Sequence, residues 1–153
     1  MKVIVTGATG SIGSSIVDRL VKNGHEVIGL GQNTGKIERL RADGFDIRKC
    51  SLNDKQLMEE SFFNADCIVH SAAFAAPFGS AKKFFQTNTE GTRTIMEIAQ
   101  KLGIKRVIFI SSSSIFEKAN PNNNHGDSLP QIQPSHPYSL SKYNAEKVLN
   151  DFP

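Results

Sequence analysis

The sequence predicts an α/β fold in which helices cover both faces of a parallel β-sheet. Short apolar segments of strand length alternate along the chain with longer segments whose apolar residues recur about every 3.6 positions, the period of an α-helix. Parallel strands need helical crossovers and become buried on both faces, so this alternation is typical of a doubly wound sheet. At 153 residues the chain has the length of about one domain, and we treat residues 1–153 as one domain.

Five apolar segments are predicted strands, and four amphipathic segments between them are predicted helices. The strands are Lys2 to Thr6, Glu26 to Leu30, Phe45 to Lys49, Asp66 to His70 and Arg106 to Ser111. The helices are Ile12 to Asn23, Gly35 to Ala42, Lys55 to Ser61 and Lys82 to Leu102. Gly24, Gly44 and Gly103 follow three of these helices, at positions where left-handed C-cap glycines belong.

The segment from Glu117 to Pro134 interrupts this pattern. It is rich in Asn, Pro and Gly and has no sustained periodicity, so it predicts a loop. A loop longer than about 12 residues inside a domain is usually either functional or disordered, and a lid over a substrate is one hypothesis for it. The last predicted helix, Pro137 to Asp151, follows this loop.

Composition and charge exclude several classes of protein. The net charge of +3 comes from scattered lysines and arginines without a basic stripe, so we expect no nucleic-acid partner. No apolar run approaches the roughly 18 residues of a membrane span, and Met1 leads into a strand without the pattern of a signal peptide. We therefore expect no membrane association and a cytoplasmic protein.

The cysteines and histidines do not predict a metal site. Cys50 and Cys67 are too few for a disulfide framework or a zinc site and are expected to be buried thiols. His125 and His136 have no matching ligands and are expected at the surface, while His70, at the end of a strand, is expected to satisfy local hydrogen bonds.

Three glycines follow the first strand. Gly7, Gly10 and Gly13 allow a tight turn, a close approach of the backbone and close packing of the next helix. The helix that starts near Ser11 directs its unpaired N–H groups and positive dipole end at this turn, where a pyrophosphate would fit. The alternative is that the glycines serve only the turn.

Tyr138 and Lys142 lie four residues apart in the string YSLSK, so they share one face of a helix. A lysine ammonium beside a phenol favours the phenolate, which gives a group able to donate and accept a proton. In combination with the glycine turn, this pair indicates an enzyme that acts beside a bound nucleotide.

Five motifs stand in a fixed order along the chain: TGATGSIG, the HSAA that starts at His70, the NTEGT that starts at Asn88, the serines at 111–114, and YSLSK. In this order they resemble the extended short-chain dehydrogenase/reductase family and, within it, the epimerase/dehydratase branch. The resemblance implies a Rossmann-like doubly wound parallel sheet in strand order 3-2-1-4-5. It also implies a small-molecule substrate and a homodimer formed through the helices at 82–102 and 137–151.

The resemblance assigns roles to individual residues. Tyr138 matches the catalytic acid/base, and Lys142 matches the lysine that holds the nicotinamide ribose and favours the phenolate. Ser112 matches the serine that orients the substrate oxygen, with Ser113 as the alternative, while Asn88 and Thr92 match a helix signature whose role is mainly architectural. The residues expected along the dinucleotide are Thr6, Gly7, Gly10, Ser11, Ile12, Gly13, Gln32, Ser51, Leu52, Ser71, Ala72, Ala73, Tyr138 and Lys142.

Two departures from the family pattern concern the cofactor. Gly31 occupies the end of the second strand, where NAD-preferring members usually carry an aspartate for the ribose hydroxyls. Gln32 follows, with Lys36 and Arg39 on the next helix, so a 2′-phosphate would meet no repulsion; we expect NADP or NAD, with NADP slightly favoured. Ser51 replaces the aspartate that usually contacts the adenine amino group.

The resemblance implies hydride transfer at a carbinol or ketone carbon, and it leaves the substrate open between two classes. A nucleotide sugar is one. The segment HSAAFAAPFGSAKKFF slightly resembles the 3-beta-hydroxysteroid dehydrogenase branch, so a hydrophobic hydroxy- or keto-substrate is the other. A catalytically poor dinucleotide-binding or redox-sensing module, and a purely structural domain, are the alternatives to an enzyme.

The chain stops at Pro153, just after the YSLSK helix, whereas family members continue with further strands and a substrate-binding region. These C-terminal parts are therefore expected to be missing. We expect the 153 residues to bind dinucleotide weakly and to turn over poorly unless a partner chain supplies the rest.

Overall fold

The computed structural model describes residues 1–119, 128–130 and 132–152. Its strands are β1 (Lys2–Thr6), β2 (Glu26–Gly31), β3 (Asp46–Lys49), β4 (Cys67–His70) and β5 (Val107–Phe109). Its α-helices are α1 (Ser11–Lys22), α2 (Thr34–Ala42), α3 (Lys55–Phe62), α4 (Ala81–Phe84), α5 (Gly91–Lys101) and α6 (Pro137–Asn150). The five strands form one parallel sheet in the order β3-β2-β1-β4-β5, which confirms the predicted fold class and strand order.

The chain divides into two compact units, each of which is described by itself. Unit 1 contains residues 1–73 and 94–110, and unit 2 contains residues 74–93 and 111–153. The parallel sheet lies entirely in unit 1, and the helix α6 lies in unit 2.

Unit 1 has an apolar core on each face of the sheet, because successive side chains of a strand point to opposite faces. On one face, Ile4 and Ile68 pack with Phe62 of α3 and Ile95 of α5. On the other face, strand residues pack with residues of α1 and α2, among them Val5, Val69, Val17 and Ile37. Helices therefore cover both faces, as predicted.

The carboxyl end of β1 lies between the carboxyl ends of the two neighbouring strands, β2 and β4. Thr6 is paired with Leu30 of β2 on one side and with His70 of β4 on the other. From β1 the chain continues to β2 and β3 on one side of β1, and then crosses to β4 and β5 on its other side. The carboxyl ends of β1 and β4 therefore form the switch point of the sheet, where ligands bind in doubly wound folds.

Most element boundaries lie within one residue of the prediction, and two elements differ more. Strand β5 is shorter than the predicted 106–111, and the amide of Ile110 donates the last sheet hydrogen bond to the His70 carbonyl (3.0 Å). The predicted helix 82–102 contains a π-helical segment, Phe85–Glu90, between α4 and α5. Averaged periodicity does not reveal a single widened turn, so the sequence pattern could not predict it.

The C-cap glycines agree with the prediction. Gly24, Gly44 and Gly103 have φ angles of 78°, 91° and 69°, the left-handed conformation in which glycine ends a helix. Both cysteines are buried, as predicted, and burial raises the pKa of the Cys50 thiol to about 11.

Unit 2 is built from α4, the π-helical segment, α6 and a 3-10 turn at Ser113–Phe116. Phe84, Ile115, Tyr143 and Val148 are among its buried apolar residues. The described residues between 117 and 134 form turns and bends without a regular element, in agreement with the predicted loop. The lid hypothesis concerns mainly residues 120–127 and 131, which lie outside the described residues.

Within the part of the chain that is described, no helix has both the length and the apolar character needed to cross a membrane.

Candidate active site

The glycine turn after β1 brings the backbone of two segments into close contact. Gly7 has a φ of 71°, and a Cβ placed on it would lie 2.6 Å from the amide nitrogen of Ala72. A Cβ on Gly13 would lie 2.2 Å from the Gly7 carbonyl oxygen and 2.9 Å from Ser71 Oγ. All three distances are below van der Waals contact, so this turn requires glycine at positions 7 and 13.

Thr6, the last residue of β1, fixes the segment that follows β4 beside this turn. Its side chain is fully buried, and its Oγ1 lies 2.7 Å from His70 Nδ1 and accepts a hydrogen bond from the Ala72 amide (3.3 Å). Its carbonyl accepts a hydrogen bond from Ser71 Oγ (2.8 Å). Hydrogen bonds to Thr6 therefore fix Ser71 and Ala72 beside the Gly7 turn. His70 takes part in the same hydrogen-bond network through Thr6 Oγ1.

Helix α1 begins at this turn with free donors. Its N-cap is Gly10, which has no side chain to cap the helix, and Ser11 and Ile12 are exposed. The amides of Ser11, Ile12 and Gly13 belong to the first helical turn, where N–H groups have no partner within the helix. These donors and the positive end of the helix dipole suit the pyrophosphate of a dinucleotide. The turn therefore fits the group that the sequence predicts.

The end of β2 offers no carboxylate to a ribose. A Cβ on Gly31 would lie 2.5 Å from Thr9 Cγ2, so the Thr9 side chain occupies the space that a larger residue would need. The exposed Gln32 follows, and Asn33 caps α2 by accepting a hydrogen bond from the Lys36 amide (3.0 Å). Lys36 and Arg39 are exposed on this helix.

Ser51 and Leu52, also predicted along the dinucleotide, follow β3 and are half-buried. Ser51 Oγ accepts a hydrogen bond from the Asn53 amide (3.3 Å), and Leu52 packs against the core beside α3. Ala73, the last residue of the first segment of unit 1, is exposed.

Ser112 precedes the 3-10 turn in unit 2. It is half-buried and extended, and its Oγ lies 2.9 Å from Ser114 Oγ and accepts a hydrogen bond from the Ser114 amide (3.3 Å). Ser113, the alternative, is exposed. Ser111 donates a hydrogen bond to Glu146 of α6.

Tyr138 and Lys142 lie one turn apart on α6. Tyr138 is half-buried in the first turn, while Lys142 is only 2% exposed. Burial lowers the pKa of Lys142 to about 8, and the charge of Glu146, one turn further along the same helix, acts in the opposite direction. The lysine therefore remains mainly protonated at neutral pH and lies close to its titration point.

Aromatic residues surround the start of α6. The buried Phe84 ring packs edge-on against Tyr138, with ring centroids 6.2 Å apart, and lies 4.9 Å from the Phe74 ring. The sequence pattern does not distinguish Phe84 from the adjacent Phe85 in the predicted helix 82–102, so Phe84 was not predicted at the site.

Asn88 links three parts of unit 2. Its amide nitrogen donates to Ser141 Oγ (2.9 Å) and to the Phe74 carbonyl (3.1 Å), and its carbonyl oxygen accepts from the Phe74 amide (2.7 Å). Thr92 Oγ1 donates to the backbone carbonyl oxygen of Asn88 (2.6 Å). Both side chains make structural contacts.

Ser141 was not predicted at the site, because a serine within YSLSK is expected at the surface. It lies beside Lys142, and its Oγ donates a hydrogen bond to the Tyr138 backbone carbonyl (2.7 Å).

In the described ranges, 1–119, 128–130 and 132–152, no group of three His, Cys, Asp or Glu side chains could hold a metal ion. His136 is exposed and caps α6 by accepting a hydrogen bond from the Tyr138 amide (3.2 Å). His125 lies outside the described residues.

Known proteins with similar sequences include enzymes of two kinds. A UDP-glucose 4-epimerase of Mycolicibacterium smegmatis is 31% identical over 164 residues, which cover 98% of this chain and 50% of that protein. A 2-alkyl-3-oxoalkanoate reductase of Stenotrophomonas maltophilia is 29% identical over 119 residues, which cover 78% of this chain and 36% of that protein. The chain thus spans half the length of the first relative, or less in the case of the second.

Among solved structures, a UDP-glucuronic acid 4-epimerase from Bacillus cereus, in complex with UDP-glucuronic acid and NAD, has a TM-score of 0.84 and 25% identity. The match covers 99% of this chain and 52% of that one. Residues 3–152 match the NAD-dependent epimerase/dehydratase family. Since this match runs from β1 to the end of α6, the chain belongs to the NAD-dependent epimerase/dehydratase family.

Proposed function

We propose that this chain is the dinucleotide-binding and proton-transferring part of an NAD(P)-dependent enzyme that acts at a carbinol or ketone carbon of a small molecule. The observation that carries the proposal is the pair on α6. Tyr138 is half-buried, and one turn away a buried lysine remains mainly protonated at neutral pH. A structural helix has little use for a buried ammonium, because burial of a charge is costly, whereas an acid/base tyrosine needs one.

In the proposed mechanism, a bound nicotinamide dinucleotide supplies the hydride chemistry. The amides at the start of α1 would hold the pyrophosphate of this dinucleotide. Tyr138 Oη accepts the proton of a substrate hydroxyl during oxidation and donates it to the carbonyl oxygen during reduction. The Lys142 ammonium favours the phenolate, and Ser112 Oγ donates a hydrogen bond to the substrate oxygen.

A nucleotide sugar is the first substrate class that we propose. The M. smegmatis relative is a UDP-glucose 4-epimerase and the B. cereus enzyme was solved with UDP-glucuronic acid, which supports this class. The overall reaction would then be an epimerisation or a related conversion that begins with oxidation of the sugar.

A hydrophobic hydroxy- or keto-substrate is the second class, and a feature of unit 2 favours it. Phe78 is 88% exposed in the segment that follows Phe74, and Lys83 Nζ lies 4.2 Å from the centre of the Phe74 ring. This solvent-exposed aromatic ring, four residues after Phe74 in the sequence, offers apolar area to a ligand. The S. maltophilia relative, a 2-alkyl-3-oxoalkanoate reductase, also acts on this kind of compound.

The cofactor is proposed as NADP or NAD. The structure of the B. cereus enzyme contains NAD, which supports a nicotinamide dinucleotide without supporting NADP over NAD. The slight preference for NADP is based on Gly31, where no carboxylate would repel a 2′-phosphate, and on the exposed Lys36 and Arg39.

The function is tested by adding NAD⁺ or NADP⁺ and a candidate substrate to the chain and to its Tyr138→Phe variant. UDP-glucose represents the first class and a long-chain 3-hydroxyalkanoate the second. The matched control is Tyr143→Phe, which removes a hydroxyl from a buried tyrosine of the same helix. We expect Tyr138→Phe to keep dinucleotide affinity and to lose at least about 100-fold in turnover, the size of a general acid/base contribution, while Tyr143→Phe keeps both.

The same assay separates the alternatives to an enzyme. Dinucleotide binding without turnover of either substrate class, and without an effect of Tyr138→Phe, would support a redox-sensing module. Absence of dinucleotide binding would support a structural domain.

A further inference from the structure

Two carboxylates of unit 2 connect the segment that carries Ser112 to the helix that carries Tyr138. Neither belongs to the residues to which the proposed mechanism gives a chemical role. Glu117 lies just after the 3-10 turn, and Glu146 lies in the third turn of α6. Glu117, in the serine segment 111–117, accepts hydrogen bonds from residues at the start of α6. Glu146, in α6, accepts a hydrogen bond from Ser111 of the serine segment.

Glu117 binds the start of α6. Its Oε1 accepts hydrogen bonds from the amides of Ser135 and His136, the latter at 3.0 Å, and from Ser135 Oγ (3.2 Å). Its Oε2 accepts a hydrogen bond from Ser139 Oγ (3.0 Å). One carboxylate thus holds Ser135 and His136, which precede Pro137 and Tyr138, and also Ser139, which follows Tyr138.

Glu146 binds the other end of the serine segment. It accepts a hydrogen bond from Ser111 Oγ, and Ser111 is the residue before Ser112. The segment 111–117 is therefore attached to α6 at both ends, once by its own Glu117 and once by the helix residue Glu146. These attachments link residues 18 to 35 positions apart in sequence.

The charge of Glu117 suits its position. An anion near the N-terminus of a helix is stabilised by the unpaired N–H groups and by the helix dipole. Hydrogen bonds from the His136 amide, followed by those from Ser135 and Ser139, lower the pKa of Glu117 to about 2. The side chain is consequently ionised at any pH at which the protein would be assayed.

We propose that Glu117 and Glu146 are positioning residues that together fix the serine segment against α6 and so set where Ser112 and Tyr138 stand for proton transfer. The inference rests on the proposed function of Tyr138, which it deepens. Misplacement of a reacting group by about 1 Å can cost about 100-fold in rate, so two attachments next to the two groups have a direct chemical consequence.

The first test observes the position of Tyr138 without any turnover. The chain has two tyrosines and no tryptophan, so the Tyr143→Phe background labelled with 3-fluorotyrosine gives a ¹⁹F NMR signal from Tyr138 alone. Glu117→Ala removes the first attachment and Ser111→Ala removes the second without changing a charge near Lys142. Glu38→Ala, at an exposed glutamate of α2, is the matched control.

We expect a single sharp Tyr138 signal in the parent and in Glu38→Ala. The signal should move or broaden in Glu117→Ala and in Ser111→Ala, and the change should be largest when both substitutions are combined. Glu117→Gln, which keeps one accepting oxygen in nearly the same shape, should restore most of the parental signal.

Unchanged Tyr138 signals in both Glu117→Ala and Ser111→Ala would overturn the proposal, even if Glu117→Ala melted at a lower temperature, because the carboxylate would then act only as a helix cap. Circular dichroism identifies a variant that fails to fold; if Glu117→Ala fails to fold, Ser111→Ala alone decides, and an unchanged Tyr138 signal in it overturns the proposal.

Turnover adds a second readout. Glu117→Ala should lower kcat by roughly 10- to 100-fold and leave the KM for the dinucleotide nearly unchanged. Should Tyr138→Phe retain full activity while the ¹⁹F signal still responds to Glu117→Ala, the proposed function would fail and the attachment itself would stand.

Discussion

Lys142 is a buried lysine on α6, and burial of its charge is costly. A lysine that is 2% exposed has lost most of its hydration, and the pKa of about 8 records this cost. Glu146 is the charged group whose field opposes the shift. A side chain kept buried and mainly charged at neutral pH is expected at a functional site rather than in a core that was selected for stability alone.

Replacement of Lys142 by methionine is expected to abolish turnover and to raise thermal stability near pH 7. The folded pKa of about 8 lies below 10.5, the ordinary pKa of a lysine, so between these two pH values the unfolded chain binds more protons. The unfolding free energy of the wild type therefore rises with pH in this window. The advantage of Lys142→Met, on the order of 3 kcal/mol at pH 7, should disappear by about pH 10.5.

The measurement is urea unfolding of both proteins from pH 7 to 10.5. Lys147→Met, at an exposed lysine of the same helix, serves as the control and should show no such pH dependence. A difference between wild type and Lys142→Met that stays constant over this range would contradict the assigned pKa.

At this scale the sequence revealed the residues whose chemistry is tied to local spacing. Tyr138 and Lys142 lie four residues apart, and Gly7, Gly10 and Gly13 follow one strand, so their patterns can be read directly. Glu117 and Glu146 could not be predicted, because their partners come from distant positions in the sequence. The local sequence around these two glutamates does not differ from that around glutamates at the surface.

The elements of unit 2 are held together by buried polar contacts, of which Asn88 in the π-helical segment is the centre. Its three hydrogen bonds attach this segment to Phe74 and to Ser141 of α6. Such a residue is 1% exposed and cannot exchange its partners for water.

Substitution of Asn88 by alanine should lower the free energy of unfolding by about 2 to 4 kcal/mol, because the Phe74 backbone and Ser141 would lose their buried partner. Asn150→Ala, at the exposed end of α6, should change it by less than about 0.5 kcal/mol. Denaturant unfolding of the two variants checks this, and equal effects would show that the Asn88 contacts contribute little.

Element types could be predicted, but some element ends could not. The strands and helices of unit 1 follow alternating apolar patterns and left-handed glycines, which are local signals. The end of β5 and the π-helical segment depend on tertiary hydrogen bonds, such as that from Ile110 to His70. Local periodicity does not contain this information.

At the scale of the whole molecule, the glycine turn for which we propose dinucleotide binding lies in unit 1, and the helix that carries Tyr138 lies in unit 2. The strand order and the family could both be predicted, because the order of the motifs along the chain is itself a property of the fold. The substrate could not, since the apolar and charged groups that would select it are not confined to one motif.

The most direct test of the central claim, that the glycine turn binds a nicotinamide dinucleotide, is a fluorescence titration of the chain with NADPH and with NADH. The absence of tryptophan leaves the nicotinamide signal free of protein emission from that residue. Gly13→Ala, whose Cβ would lie 2.2 Å from the Gly7 carbonyl, is compared with Gly35→Ala, whose Cβ would meet only Asn33 Oδ1 at 3.8 Å. We expect saturable binding, slightly tighter for NADPH, that is lost in Gly13→Ala and retained in Gly35→Ala. Absence of binding by the wild type, or equal binding by Gly13→Ala, would contradict the account.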